Sequence, residues 1–222
     1  MVPLDQSSRS QATCSRPGDA PWDVRDLSAN LWCAGGTPQS VEIIAKNDVR
    51  PLCIPTTSLD LALQTVRTYA QLRHEAGHGS EVHTKLALWT YVAGTEAEAR
   101  RGAERYMCEY SDSALRHYEM LGTHFAGLKG YEAYSASSEA MRENPDAFLR
   151  GFFDSHPWGT PEQTIARATE LAHAFGTNEI MFVFKYGSMP IEDAHRSMKL
   201  FADEVTPALQ ALEPRPLEVV SV

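Results

Sequence analysis

The segment from Gly159 to Leu212 constrains the fold more than any other part of this chain. Gly159-Thr160-Pro161-Glu162-Gln163 supplies a Thr cap, a Pro at the first helical position and a Gln three residues beyond the cap. That is a capping box with a proline preset to helical φ. The spacing predicts a helix to about Phe175, stopped by Gly176. Ile180-Met181-Phe182-Val183-Phe184 is apolar at every position, the pattern of a parallel strand buried on both faces. Gly187-Ser188-Met189-Pro190 opens a second helix. Its apolar stripe is expected at Ile191, Ala194, Met198, Phe201, Val205, Leu209 and Leu212. A helix, a buried strand and a helix in this order are the closing unit of a parallel α/β protein.

The preceding chain repeats the alternation. Leu31-Trp32-Cys33-Ala34 reads as a strand, and Gly35-Gly36-Thr37-Pro38-Gln39-Ser40 leads from it into a helix from Val41 to about Asn47, with Ile43 and Ile44 inward. Leu52-Cys53-Ile54 is the next strand. Ser58 caps a helix that turns Leu59, Ala62, Leu63, Val66, Tyr69 and Ala70 to one side and ends near Ala76-Gly77. A third strand is expected from Thr84 to Val92. Thr95 caps a long helix reaching about Leu121, with Ser111-Asp112-Ser113 marking a candidate break. Gly122 to His156 is poorly periodic, apart from a short helix over Asp146 to Phe153. Residues 1–29 read as a flexible arm, residues 30–212 as one α/β domain and residues 213–222 as an irregular tail. The order βαβαβα, excursion, αβα implies parallel strands. Four strands make either a small open sheet or half of a (β/α)8 barrel, whose open edges need cover.

Charge and cysteine usage narrow the function. At 222 residues the chain is long enough for a sizeable core. The net charge of −9 argues against a nucleic-acid or anionic-membrane surface. No apolar run approaches the roughly 18 residues of a spanning helix. The opening stretch lacks an apolar signal core, and no secretion signal is expected. Cys14, Cys33, Cys53 and Cys108 are widely spread, as reduced thiols of a cytoplasmic protein would be.

Three stretches invite a chemical reading. His74-Glu75-Ala76-Gly77-His78 matches the zinc-protease pattern. Metal binding needs both histidines on one continuous helix, however, and Gly77 marks the helix end. No metal is expected. The turn Gly35 to Ser40 leaves the C-terminal end of a strand, where parallel α/β proteins bind ligands. Its glycines, the hydroxyls of Thr37 and Ser40 and the helix N-terminus can cradle a phosphate, or merely cap a helix. The excursion Gly122 to His156 is long enough to be a mobile lid, or an insertion without a role.

These residues resemble a known family. GTPEQTIARATELAHAFGTNEIMFVF followed by GSMPIEDAHRSMKLFADEVTPAL looks like the C-terminus of the luciferase-like flavin monooxygenases. LWCAGGTPQSVEIIAKNDVRPLCI resembles that family's fifth strand and helix, and TSLDLALQTVRTYAQLRHEAGH the helix after its sixth strand. The resemblance covers about Leu31 to Leu212. It implies the C-terminal half of a (β/α)8 TIM barrel, incomplete or completed by a partner. It implies reduced FMN, or the deazaflavin F420, as cofactor, supplied by a reductase and used with O2 to oxygenate a small organic substrate. The alternative is a non-catalytic truncated relative or accessory subunit. A homodimer or heterodimer is expected. By the same resemblance Thr37 and Ser40, with the backbone of Gly36 and Gln39, bind the flavin phosphate. Lys129, Tyr131 and Tyr134 are the polar lid residues.

Overall fold

A computed structural model describes residues 31–213, apart from 57, 80 and 130, together with residues 217–218. The expected arm over residues 1–29 lies outside the described residues. Every element below belongs to the unit Trp32–Val222.

The chain runs through β1 (Trp32–Cys33), α1 (Pro38–Lys46), β2 (Arg50–Cys53), α2 (Leu59–Glu75), β3 (Glu81–Val82), β4 (Lys85–Trp89), β5 (Tyr91–Val92) and α3 (Glu96–His117). It continues through α4 (Glu132–Glu143), α5 (Pro145–Ser155), β6 (Trp158–Gly159), α6 (Pro161–Phe175), β7 (Ile180–Val183) and α7 (Ile191–Leu200). A π-turn (Phe201–Val205), α8 (Thr206–Gln210) and β8 (Leu217–Glu218) follow. The helix starts carry the caps their sequences encode. Ser58 Oγ accepts the Leu61 amide at 3.2 Å and Thr95 Oγ1 the Glu98 amide at 3.3 Å. Thr160 and Gln163 form a reciprocal capping box, and Gly176 closes α6 in the left-handed conformation.

The main sheet has the order β1-β2-β4-β7, and all three pairings are parallel. Strand alternation splits it into two faces. Cys53, Leu86, Leu88, Ile180 and Phe182 point to the helices, where they meet Val66 of α2 and Leu171 and Phe175 of α6. Leu86, Leu88, Leu171 and Phe175 are fully buried; each contributes about 1.5–3 kcal/mol of transfer free energy. A second cluster binds α1 to α2 through Val41, Ile44, Ala45, Tyr69 and Ala70. The opposite face carries the register pairs Trp32 with Arg50, Leu52 with Lys85, Ala87 with Met181 and Trp89 with Val183. At the start of the strands Lys85 sits 4.3 Å from the Trp32 ring centroid and 2.9 Å from Glu179.

The structure corrects several expectations. Strand β7 is not buried on both faces: Met181 is 48% exposed. β7 ends the sheet order, and no strand among the described residues pairs with its outer side. The strand expected from Thr84 to Val92 divides at Thr90. The Thr90 amide still donates to Val183, whereas Tyr91 and Ala93 donate to Pro157 and Gly159 across to β6. The helix after Pro190 does not keep one stripe. Pro207 has no N–H for the carbonyl four residues back, and its ring crowds that turn. The helix widens into the π-turn, where the Thr206 amide bonds the Phe201 carbonyl. Ala194, Ser197, Phe201 and Val205 turn inward, while Ile191 and Met198 are exposed. Ser197 faces the core because its hydroxyl accepts the Val92 amide at 2.8 Å. Ile43 is 63% exposed, because the inward arc of α1 is Val41, Ile44 and Ala45. α3 runs unbroken through Ser111, which is buried. The excursion holds α4 as well as α5, and Asn144 caps α5 by accepting the Ala147 amide. Within the tail, Leu217–Glu218 pairs antiparallel with Glu81–Val82.

Candidate functional site

The turn after β1 is built by a strand that ends and a helix that must begin within four residues. Thr37 sits at the N-cap with extended backbone and Pro38 occupies the first helical position. Thr37 Oγ1 accepts the Ser40 amide at 3.2 Å and lies 2.8 Å from Ser40 Oγ. The Thr37 carbonyl takes the Val41 amide at 2.9 Å. Pro38 has no N–H and the Ser40 amide is engaged, so Gln39 offers the remaining first-turn amide. The two glycines differ. A Cβ on Gly35 would lie 3.0 Å from Ser40 Cβ, so Gly35 lets the turn close on its own helix. A Cβ on Gly36 would meet nothing within 4 Å; its backbone borders open space.

Electrostatics separate α1 from the other long helices. α2, α3, α4, α5, α6 and α7 each carry Asp or Glu in the first turn, which answers the positive end of the dipole internally. α1 carries none. Its N-terminus keeps a positive potential, a free first-turn amide and two hydroxyls, at the C-terminal end of a parallel strand. This donor set fits a phosphate. The structure places Gly36, Thr37, Gln39 and Ser40 in this one turn.

Lys129, Tyr131 and Tyr134 lie elsewhere. Tyr131 and Tyr134 stack on Phe125 at centroid distances of 5.7 and 5.4 Å, with both rings partly exposed. Lys129 lines a separate groove of about 470 Å³ with Glu132 and Glu139. No hydrogen bond or ring contact joins them to the turn among the described residues. An open cleft of about 990 Å³ lies between α3 and α7, lined by Tyr91, Arg101, Arg105, Asp193 and Arg196 among others, and shares no residue with the turn. Within it Tyr106 donates to Asp193 at 2.5 Å, and that bond, with burial, pushes the phenol up to about 12.

Sequence reading missed an aromatic floor at the C-terminal end of β4. Trp89 packs against Tyr110, Phe152 and His156 at 5.1, 5.5 and 5.3 Å. Tyr186 backs this group and donates to the Thr90 carbonyl at 3.2 Å. His156 is 1% exposed, and burial, then the nearby Arg167 charge, push its imidazole down to about 3. His156 is a lone histidine before a proline, and no spacing rule marks it.

His74 and His78 do not form a metal pair. α2 ends at Glu75 and Gly77 has φ of 89°. His78 Nε2 instead reaches the Lys46 carbonyl at 3.1 Å, beside the Arg73–Asp48 ion pair at 2.6 Å. Among the described residues no three His, Cys, Asp or Glu side chains are placed to hold a metal ion.

The family model for luciferase-like monooxygenases matches residues 9–179. The chain belongs to the luciferase-like monooxygenase family. Solved structures agree on the fold. The oxygenating constituent of 3,6-diketocamphane monooxygenase from Pseudomonas putida, in complex with FMN, is 18% identical, with 83% of this chain and 49% of that chain covered and a TM-score of 0.52. EDTA monooxygenase from Chelativorans sp. BNC1 is 16% identical over 85% of this chain and 46% of that one, with a TM-score of 0.55. A riboflavin lyase with modified FMN and riboflavin is 16% identical over 81% and 42%, with a TM-score of 0.51. The chain thus spans about half the length of these structures. No curated protein matches it. No helix among the described residues is long and apolar enough to cross a membrane.

Proposed function

We propose that this chain is the flavin-phosphate-binding half-barrel of a flavin-dependent monooxygenase that oxygenates a small organic substrate. The observation that carries the reading is the Thr37–Ser40 hydroxyl pair at an acid-free helix N-terminus. In this role the Gln39 and Gly36 amides and one hydroxyl of the pair hold the phosphate, and the α1 dipole offsets its charge without a cationic side chain. When bound, reduced flavin supplies the electrons that activate O2. Trp89, Phe152 and Tyr186 form an apolar floor that keeps water from the sheet end. Lys129, Tyr131 and Tyr134 belong to a lid over residues 122–156, hinged on the turns before α4. FMN and F420 both carry the phosphate this turn fits; a reductase delivers the flavin in reduced form.

Among the described residues no strand pairs with the outer side of β7 and Met181 is exposed, which favours completion by a second copy or another chain. The same edge supports a second reading, a non-catalytic subunit held by a partner barrel. Free thiols at Cys33, Cys53 and Cys108 suit a reducing cytoplasm. The test is titration of oxidised FMN, followed by flavin fluorescence, with oxygen uptake measured separately on reduced FMN. Saturable quenching supports the flavin reading. Quenching without oxygen uptake selects the accessory subunit, and no quenching with either FMN or F420 overturns both.

A further inference from the structure

The open cleft between α3 and α7, about 990 Å³ in volume, gathers three arginines in a chain whose net charge is −9. Arg101 and Arg105 stand one turn apart on α3, and Arg196 lines the α7 wall. Like charges one turn apart disfavour a helix. Elsewhere on α3, Arg100 and Arg116 each have a carboxylate one turn away instead, Glu104 and Asp112. Arg101 makes no ion pair or hydrogen bond among the described residues. Arg105 is held loosely, 3.6 Å from Glu109, with its guanidinium 5.3 Å from the Tyr106 ring centroid. The carboxylates of the cleft are already committed. Glu98 accepts the Thr95 hydroxyl at 3.1 Å, and Glu104 pairs with Arg100 at 3.4 Å. Asp193 uses both oxygens: one accepts from the buried Tyr106 at 2.5 Å, the other from Arg196. These bonds tie α3 to α7 and hold the Arg196 guanidinium in place, its remaining N–H donors unused among the described residues.

The chemistry selects a ligand class. Guanidinium forks match phosphate oxygens two at a time. Forks on two walls suit an anion that carries more than one phosphate. Tyr91 of β5 lines the same cleft, with its ring partly exposed and its hydroxyl without a partner among the described residues. Its ring lies 5.8 Å from that of Tyr106, which backs it, and Gly102 makes room for it on α3. An aromatic face beside phosphate donors takes a planar base by stacking. Small-molecule pockets run to roughly 1,000 Å³, so the cleft has room for base, sugar and phosphates together. We propose that the α3–α7 cleft binds a nucleoside diphosphate moiety, with Arg101, Arg105 and Arg196 on the phosphates and Tyr91 on the base. The cleft shares no residue with the Gly36–Ser40 turn, and its assignment does not depend on the flavin reading.

Adenosine diphosphate, inorganic pyrophosphate and adenosine, each titrated calorimetrically into the whole chain, test the site. The wild type should bind ADP saturably, pyrophosphate more weakly and adenosine most weakly. Arg101→Ala and Arg196→Ala should each weaken ADP binding about tenfold, the loss expected for a charge-assisted hydrogen bond. Arg101 has no described partner to lose, so Arg101→Ala should melt with the wild type. Arg101→Lys keeps the charge without the fork, and its ADP affinity should fall between those of Arg101→Ala and the wild type. Tyr91→Leu should weaken ADP binding and leave pyrophosphate unchanged. Thr37→Ala combined with Ser40→Ala should bind ADP as the wild type does. Failure of the wild type to bind ADP overturns the site, as does equal ADP affinity in the wild type and both arginine variants. So does loss of ADP binding in the Thr37, Ser40 double variant with full binding in Arg101→Ala, which would move the phosphates to the α1 turn. Equal wild-type affinity for ADP and pyrophosphate overturns the nucleoside assignment and makes free diphosphate the ligand.

Discussion

Thr37 Oγ1 and Ser40 Oγ lie 2.8 Å apart, and Thr37 Oγ1 also accepts the Ser40 amide. Either hydroxyl can donate to the other, so one proton is spent inside the pair and one stays free for an anion. The two residues therefore differ in what they risk on substitution. Thr37→Ala removes an N-cap and costs about 1 kcal/mol of stability together with phosphate affinity. Ser40→Ala leaves the cap bond to its backbone intact and weakens FMN binding with almost no change in melting temperature. Parallel melts and FMN titrations of the two variants check this split.

The adjacent glycines make opposite predictions. Gly35→Ala places a methyl 3.0 Å from Ser40 Cβ, pushes α1 off its strand and lowers stability; overpacking of this kind costs about 1–3 kcal/mol. Gly36→Ala meets no protein atom within 4 Å and leaves the melt unchanged. Its methyl enters the space proposed for the ligand, so the loss falls on FMN affinity. Loss of stability in Gly36→Ala with unchanged affinity would contradict the assignment.

His156 gives the fold an acid sensitivity with a definite sign. Its ordinary value is near 6.5, and burial, then Arg167, lower the folded-state value to about 3. Between these values the unfolded chain binds a proton that the folded chain refuses. Stability is complete above about pH 6.5 and falls as the pH drops toward 3, by at most about 1.4 kcal/mol per pH unit. Urea unfolding at pH 7 and pH 5 should show a wild-type loss exceeding that of His156→Leu by about 2 kcal/mol. Equal losses would mean the imidazole is solvated.

Gly102 lies inside α3, where Ala would ordinarily improve the helix by about 1 kcal/mol. Here a Cβ would fall 2.1 Å from Tyr91 Cε1. Gly102→Ala should therefore destabilise the chain by about 1–3 kcal/mol, and pairing it with Tyr91→Ala should recover part of the loss. A rise in melting temperature in the single variant would show that Tyr91 swings aside at no cost.

Local signals carried most of the architecture. The Thr160–Gln163 box, the Ser58 and Thr95 caps and the alternation of apolar runs are written within a few residues of where they act, and the four parallel strands followed from them. The misread features depend on distant partners. Met181 is exposed because nothing among the described residues covers its face of β7, and the π-turn precedes Pro207, which lacks the N–H for the carbonyl four residues earlier. Thr84 to Val92 looks like one strand until β6 takes its second half. The capped turn from Gly35 to Ser40 was legible because glycine, hydroxyl and helix start are contiguous. The Trp89–His156 pair was not, since 67 positions separate its members and only the packing of α5 brings them together.

Whether Gly36 to Ser40 binds a phosphate is decided by comparing FMN with riboflavin, because the two differ only in that group. The wild-type chain should bind FMN at least about tenfold more tightly than riboflavin, a difference of about 1.4 kcal/mol, and Thr37→Ala combined with Ser40→Ala should reduce this preference while leaving riboflavin affinity unchanged. Equal affinity of the wild-type chain for FMN and riboflavin, or a preference that survives the double substitution, would contradict phosphate binding at this turn.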